Sequence, residues 1–113
     1  MNKLVTTGAI KRYAAISKDN AAIHIDNKAA AKAGYNRPIA HGMYIMGLAQ
    51  SLYLADHPTK WITEYKMKFQ KPLFVDTVAI FYFVSSDCNI EVTVTAETGE
   101  VIALGSFSVK ELG

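Results

Sequence analysis

Two periodicities divide the chain. Up to about residue 56 apolar side chains recur at helical spacing, and from Trp61 onward they alternate. The longest apolar run is Pro38 to Ala55, with no charged residue between Arg37 and Asp56. Its apolar side chains fall on every face, so the pattern predicts a helix buried all round. Pro38 is its expected entrance, because a first turn has no use for the N–H that proline lacks. The run is slightly short of the about 20 apolar residues that cross a membrane, and Pro38, His41, Gln50 and Ser51 interrupt it. A central helix in a globular domain is therefore expected, with no membrane partner.

The flanking pattern supplies the rest of the architecture. Residues 1–6 read as a short edge strand. Thr7 is the expected N-cap of a helix carrying Ile10, Tyr13 and Ala14 at helical spacing and ending near Ser17. A loop follows from Ser17 to Asp26, which can cap a small helix over 27–33, closed by Gly34. In the second half, Trp61, Thr63, Tyr65, Met67 and Phe69 share one face of a strand, and Ile62, Glu64, Lys66 and Lys68 the other. Residues 77–84 are nearly continuous Val, Ile and aromatic, suited to burial on both faces or to a subunit contact. Ile90, Val92, Val94 and Ala96 mark a further strand, Glu97-Thr98-Gly99-Glu100 a hairpin turn, and residues 101–109 the last strand. Helices first and an antiparallel meander after them give an α+β fold, a sheet curled around one hydrophobic helix, as one domain over 1–113.

Composition narrows the function classes. Apolar residues make up 50% of the chain and charged ones 19%, enough for one core. A net charge of +2 gives no ground for a nucleic-acid partner without a clustered patch. The single Cys88 rules out an internal disulfide framework and fits a reducing compartment. With no N-terminal apolar run long enough for a signal peptide, a cytoplasmic location is expected. His24, His41 and His57 lack ligand-type spacing, so no metal is expected. No phosphate loop or nucleophile elbow occurs.

Three places could carry chemistry. Asp19 and His24 lie five apart on one loop, where a carboxylate and an imidazole could share a water and pass its proton. His41-Gly42 stands at the head of the apolar helix. There the N–H groups lack internal partners, and a glycine lets a ligand oxygen approach closely. His41 itself reads better as a core histidine orienting the loop than as a base. Lys60, Lys66, Lys68 and Lys71 could meet phosphates, although lysines on an edge strand also guard against aggregation.

Taken together, these segments resemble a known family. Ser17-Lys18-Asp19-Asn20-Ala21-Ala22-Ile23-His24-Ile25-Asp26 is similar to the motif S-G-D-x-N-P-x-H-x-D of the MaoC-like dehydratases, a group that includes R-specific enoyl-CoA hydratases. Arg37 to Met43 resembles the segment at the head of that family's central helix, and Phe69 to Thr77 its later F-x-x-P and G-D-T segment. The resemblance implies a hot-dog fold, a curved antiparallel sheet around one long helix. It also implies hydration of a trans-2-enoyl thioester to a (3R)-hydroxyacyl thioester, or the reverse, in fatty acid metabolism.

Residue by residue, Asp19 and His24 match the family's catalytic pair, with base and acid not assigned between them. Gly42 matches the glycine whose N–H holds the thioester oxygen. Ser17, His41 and Met43 are expected to support the site or line its pocket, and Met46, Tyr44 or Tyr13 to line an acyl slot. No cofactor is expected. The substrate would be an acyl thioester of coenzyme A or acyl carrier protein, and the assembly a homodimer or higher homo-oligomer. The chain departs from the motif at Lys18, where glycine is usual, and at Ala21-Ala22, where the motif has Asn-Pro. Val75 replaces a glycine, and Gln50 stands where some hydratases carry serine. Two alternatives stay open. One is a hot-dog thioesterase, against which the lack of a carboxylate on the central helix counts. The other is a non-catalytic acyl-thioester-binding module.

Overall fold

Alternation from Trp61 onward produces four long strands, and a fifth comes from the N-terminus. The structure, a computed structural model, describes residues 1–112. In chain order the elements are β1 (Asn2–Val5), α1 (Thr7–Ser17), α2 (Ala22–Ile25), α3 (Asn27–Lys32), α4 (Gly42–Asp56), β2 (Lys60–Phe69), β3 (Thr77–Ser86), β4 (Asn89–Ala96) and β5 (Val101–Glu111). One antiparallel sheet in the order β1-β3-β4-β5-β2 results, so the architecture is α+β as expected.

The core forms where α4 meets the inner face of the sheet. Ile45, Ala49 and Tyr53, four apart and therefore on one stripe of the helix, are buried with Ala79, Phe81, Val92, Val94, Ala103 and Phe107. Tyr65 anchors β2 to the helix by donating its hydroxyl to the Met46 carbonyl at 2.8 Å, and burial pushes the phenol up to about 12. Gly105 lets β5 approach β2. A Cβ there would stand 2.7 Å from the Lys66 carbonyl oxygen, so the inner face admits no side chain at this point.

Four expectations need correction. The helix cap is Thr6, whose hydroxyl accepts from the Ala9 N–H at 3.0 Å. Thr7 is instead held by Asp76, its N–H and hydroxyl both donating to that carboxylate. The long helix starts at Gly42, not Pro38. Residues 38–40 run extended against 73–75, with the Ala40 N–H donating to the Leu73 carbonyl and the Val75 N–H to that of Pro38. Proline's fixed φ suits such a segment equally well. Nor is α4 buried all round, since the sheet covers one stripe and Met43, Gly47, Gln50 and Ser51 are exposed on the other side.

The fourth correction concerns β2. A bulge at Thr63, between the pairs Ile62–Val109 and Glu64–Ser108, shifts the alternation by one residue. Ile62 therefore packs with Tyr65 and Met67 against the core, and Trp61 turns outward at 55% exposure. On β3 only the inner face is buried. Residues 77–80 pair with β1, and beyond them Tyr82 and Val84 lie exposed at an edge with no strand partner on that side among the described residues.

Asp76 fixes the junction of α1 with β3, in a left-handed backbone conformation at φ 61°. The Thr7 hydroxyl and then the Thr7 N–H hold its carboxyl below the ordinary carboxylate range, with Arg37 adding to the effect. A depressed carboxyl stabilises the fold above its unfolded pKa and loses that contribution as pH falls through the folded value. Asn keeps the tolerance for positive φ, so Asp76→Asn should lower the urea midpoint at neutral pH. The gap to the parent should close below about pH 4, the ordinary carboxylate range. Urea titrations of both chains between pH 2 and pH 7 would measure it.

Candidate active site

The turn between α1 and α3 is shaped by few groups, each readable in the sequence. α1 ends at Ser17, and Lys18 takes the left-handed conformation at φ 64°. This is the position where the resembled motif has glycine, the residue that enters this region without steric cost. The chain then reverses, with the Asp19 N–H donating to Ser17 Oγ at 3.2 Å. α2 is a single turn whose N-cap, Ala21, offers no side-chain cap, and Ala22 is its first residue. The motif's asparagine and proline would occupy these two positions. Asn is a strong N-cap and Pro suits a first helical position, so Ala21-Ala22 loses a cap and a stiffener but keeps the turn.

That turn delivers His24, whose Nδ1 lies 2.7 Å from the Ile39 carbonyl. A carbonyl only accepts, so Nδ1 carries the hydrogen and Nε2 of the neutral ring keeps its lone pair. The His24 ring stacks on that of His41 at 3.8 Å between centroids and 20° between planes. His41 is 2% exposed, and its Nε2–H donates to the Asp19 carbonyl at 2.9 Å. Side-chain atoms of Asp19, His24 and His41 lie within 4.8 Å of one another. The fold thus adds His41 to the Asp19–His24 pair that the sequence had grouped on one loop. His57 lies elsewhere, stacked on Tyr53.

Beside this cluster opens a cleft of about 400 Å³. His24 and Gly42 line it, its walls include Tyr35, Ile39, Ile45, Phe69 and Leu73, and Lys71 is at its rim. Gly42 is the first residue of α4, where an N–H has no intrahelical partner. Among the described residues no hydrogen bond engages it. A Cβ on Gly42 would meet the Phe69 ring at 3.0 Å, so glycine keeps this corner open.

Of the expected pocket residues, Ser17 Oγ accepts from the Asp19 N–H and His41 Nε2–H reaches the Asp19 carbonyl. Met43 does not line the cleft. It is one residue, about 100° of helix, past Gly42 and points outward at 66% exposure. Tyr13 and Tyr44 pack against each other, with the Tyr13 ring edge-on to His41, and do not line the cleft either. Met46 is also absent from its walls. The sequence reading missed Tyr35, Ile45 and Leu73, which carry no pattern distinct from core residues. Phe69 had a signal in the F-x-x-P segment.

The lysines are divided. Lys60 pairs with Glu111 at 2.5 Å and Lys71 with Glu100 at 3.5 Å. Lys66 and Lys68 stand on edge strand β2. No helix is long and apolar enough to cross a membrane among the described residues.

Known proteins are similar to this chain in sequence and in framework. The chain is 30% identical over 89 residues to the 3-hydroxyacyl-thioester dehydratase X of Mycobacterium tuberculosis, covering 79% of this chain and 31% of that protein. It is 29% identical over 66 residues to the mitochondrial 3-hydroxyacyl-[acyl-carrier-protein] dehydratase of Arabidopsis thaliana, covering 58% and 40% respectively. The chain therefore spans well under half the length of these two relatives. The (R)-hydratase from A. caviae involved in PHA biosynthesis superposes with a TM-score of 0.85 at 23% identity, over 100% of this chain and 92% of that one. The shared fold is the hot dog. Residues 2–105 match the MaoC like domain, and the chain belongs to the MaoC-like dehydratase family.

Proposed function

We propose that the chain is a hydro-lyase that adds water to a trans-2-enoyl thioester to give a (3R)-hydroxyacyl thioester, or removes it in reverse. One observation carries this reading: the Asp19 carboxylate and the His24 imidazole, its Nδ1 held at the Ile39 carbonyl, lie together beside an apolar cleft that also contains Gly42. The two relatives named as dehydratases of 3-hydroxyacyl thioesters support it.

The geometry suggests a division of labour. Asp19 accepts a hydrogen from the water and orients it, and His24 Nε2 takes the other proton as the oxygen bonds to the β-carbon. Negative charge moves to the thioester oxygen, where the Gly42 N–H and the N-terminal end of α4 stabilise the enolate. Loss of a comparable donor costs about 2.7–4 kcal/mol in other enzymes. The His24 imidazolium then gives its proton to the α-carbon from the same side, which restores the neutral ring. The apolar walls take the acyl chain, and the carrier, coenzyme A or acyl carrier protein, lies toward the rim. Thioester hydrolysis is the weaker reading, because α4 offers no carboxylate before Asp56 to activate water. A homo-oligomer is supported by the uncovered side of α4 and by the open β3 edge with Tyr82 and Val84.

Two predictions follow from the dyad and its turn. Purified protein mixed with crotonyl-CoA, or with longer enoyl thioesters on either carrier, should consume the enoyl absorbance. Asp19→Asn and His24→Ala should each lower kcat at least about 100-fold, in the range general acid–base groups supply, while circular dichroism stays unchanged. Parental rates in both variants would refute the mechanism, and release of free thiol would show hydrolysis instead. Restoring Ala21→Asn and Ala22→Pro should raise stability by about 1 kcal/mol through the cap and the restricted unfolded chain, with kcat equal to or above the parent's. Urea midpoints and initial rates on the same preparations would check this.

A further inference from the structure

His41 occupies the N-cap of α4 yet makes no side-chain cap hydrogen bond. Ser, Thr, Asp and Asn are the usual residues there because their oxygens satisfy the first N–H groups of a helix. The ring is committed elsewhere. Its Nε2–H reaches the Asp19 carbonyl at 2.9 Å, and its face lies 3.8 Å from the His24 ring. Tyr13, from α1, packs edge-on against it with 4.8 Å between ring centroids. Its Nδ1 is buried without a hydrogen-bond partner among the described residues. An apolar side chain would spare the fold that unsatisfied atom, and a serine or asparagine would cap the helix. Neither could hold both members of the dyad.

We propose that His41 is the positioning residue of the site, with Nε2–H tethering the Asp19 backbone and its ring face setting the plane of His24. This rests on the hydratase reading for its catalytic consequence, but the contacts themselves do not. The tether fixes one end of the Asp19 loop, whose carboxylate is otherwise exposed and whose only local support is the 3.2 Å bond to Ser17 and a 3.4 Å contact from the Ala21 N–H. The stack resists rotation of His24 about the single hydrogen bond from Nδ1 to Ile39. Without His41, each member of the dyad would keep its chemistry but lose its angle to the water.

Two variants separate this role from simple packing. His41→Asn can cap α4 but is too short to reach the Asp19 carbonyl. His41→Gln places an N–H near the Nε2 position but has no ring. His41→Asn should fold as the parent does, with kcat down about 10- to 100-fold, the scale of a catalytic group misplaced by about 1 Å, and KM within about twofold. His41→Gln should recover part of that loss. In NMR spectra, the Asn20 amide, which shares the peptide group with the Asp19 carbonyl, and the His24 ring protons should shift in His41→Asn. Parental kcat in His41→Asn, or losses in both variants that match a loss of folded protein, would overturn the proposal. An inactive parent would defeat the hydratase reading alone. The NMR shifts would then decide the positioning role, and unchanged Asn20 and His24 signals would overturn it.

Discussion

The short strap 38–40 holds the molecule's parts in register. It bridges 73–75 through Ile39 and Phe74, takes the Leu73 carbonyl on the Ala40 N–H and gives the Pro38 carbonyl to Val75. The same three residues reach the turn that carries His24. The Ile39 N–H donates to the Ile23 carbonyl, and the Ile39 carbonyl takes His24 Nδ1–H. One residue beyond the strap, His41 stands at the N-cap position of α4 and touches both Asp19 and His24. The tautomer of the proposed base, the start of the central helix and the placing of α2 all depend on this one segment. The exposed Asp19 loop can therefore be short and weakly supported by itself, because the order is imposed from the buried side.

Local and non-local information separate cleanly along the chain. Helical spacing and alternation are local signals, so α1, α3, the helical body of α4 and the four long strands were legible within a few residues. The failures are all at places where a distant partner decides. Pro38 satisfies the rule for a helix entrance but is drawn into extended pairing with 73–75. Thr7 satisfies the rule for an N-cap but is claimed by Asp76, and Thr6 serves instead. No local rule announces the bulge at Thr63, since it exists only relative to β5, and it reverses the faces of Trp61 and Ile62. The full burial expected of α4 from its composition exceeds what one sheet can cover, and the surplus apolar surface remains on Met43 and its neighbours.

The site was legible to a different degree. Asp19, His24 and Gly42 were identifiable through the motif's order, and the structure brings the first two together and sets the third in the adjoining cleft. The cleft walls were not, because Tyr35, Ile45 and Leu73 look like ordinary core residues until the strap folds over them. The motif's departures also acquire physical meaning only in three dimensions. Lys18 occupies a left-handed position that favours glycine, and Ala21-Ala22 sits at a cap and first turn that favour Asn-Pro. These changes weaken the turn locally, yet the contacts from Ile39 and His41 that orient the dyad do not involve the altered side chains.

In the proposed mechanism Asp19 and His24, on one side of the cleft, handle both parts of the added water. Hydration of an enoyl thioester in D₂O, followed by NMR assignment of the product's configuration at both carbons, tests it most directly. The expected product is a (3R)-alcohol with deuterium at the α-carbon delivered to the same face as the oxygen, and the reaction is lost in Asp19→Asn. Addition from opposite faces, or a (3S) product, would contradict it.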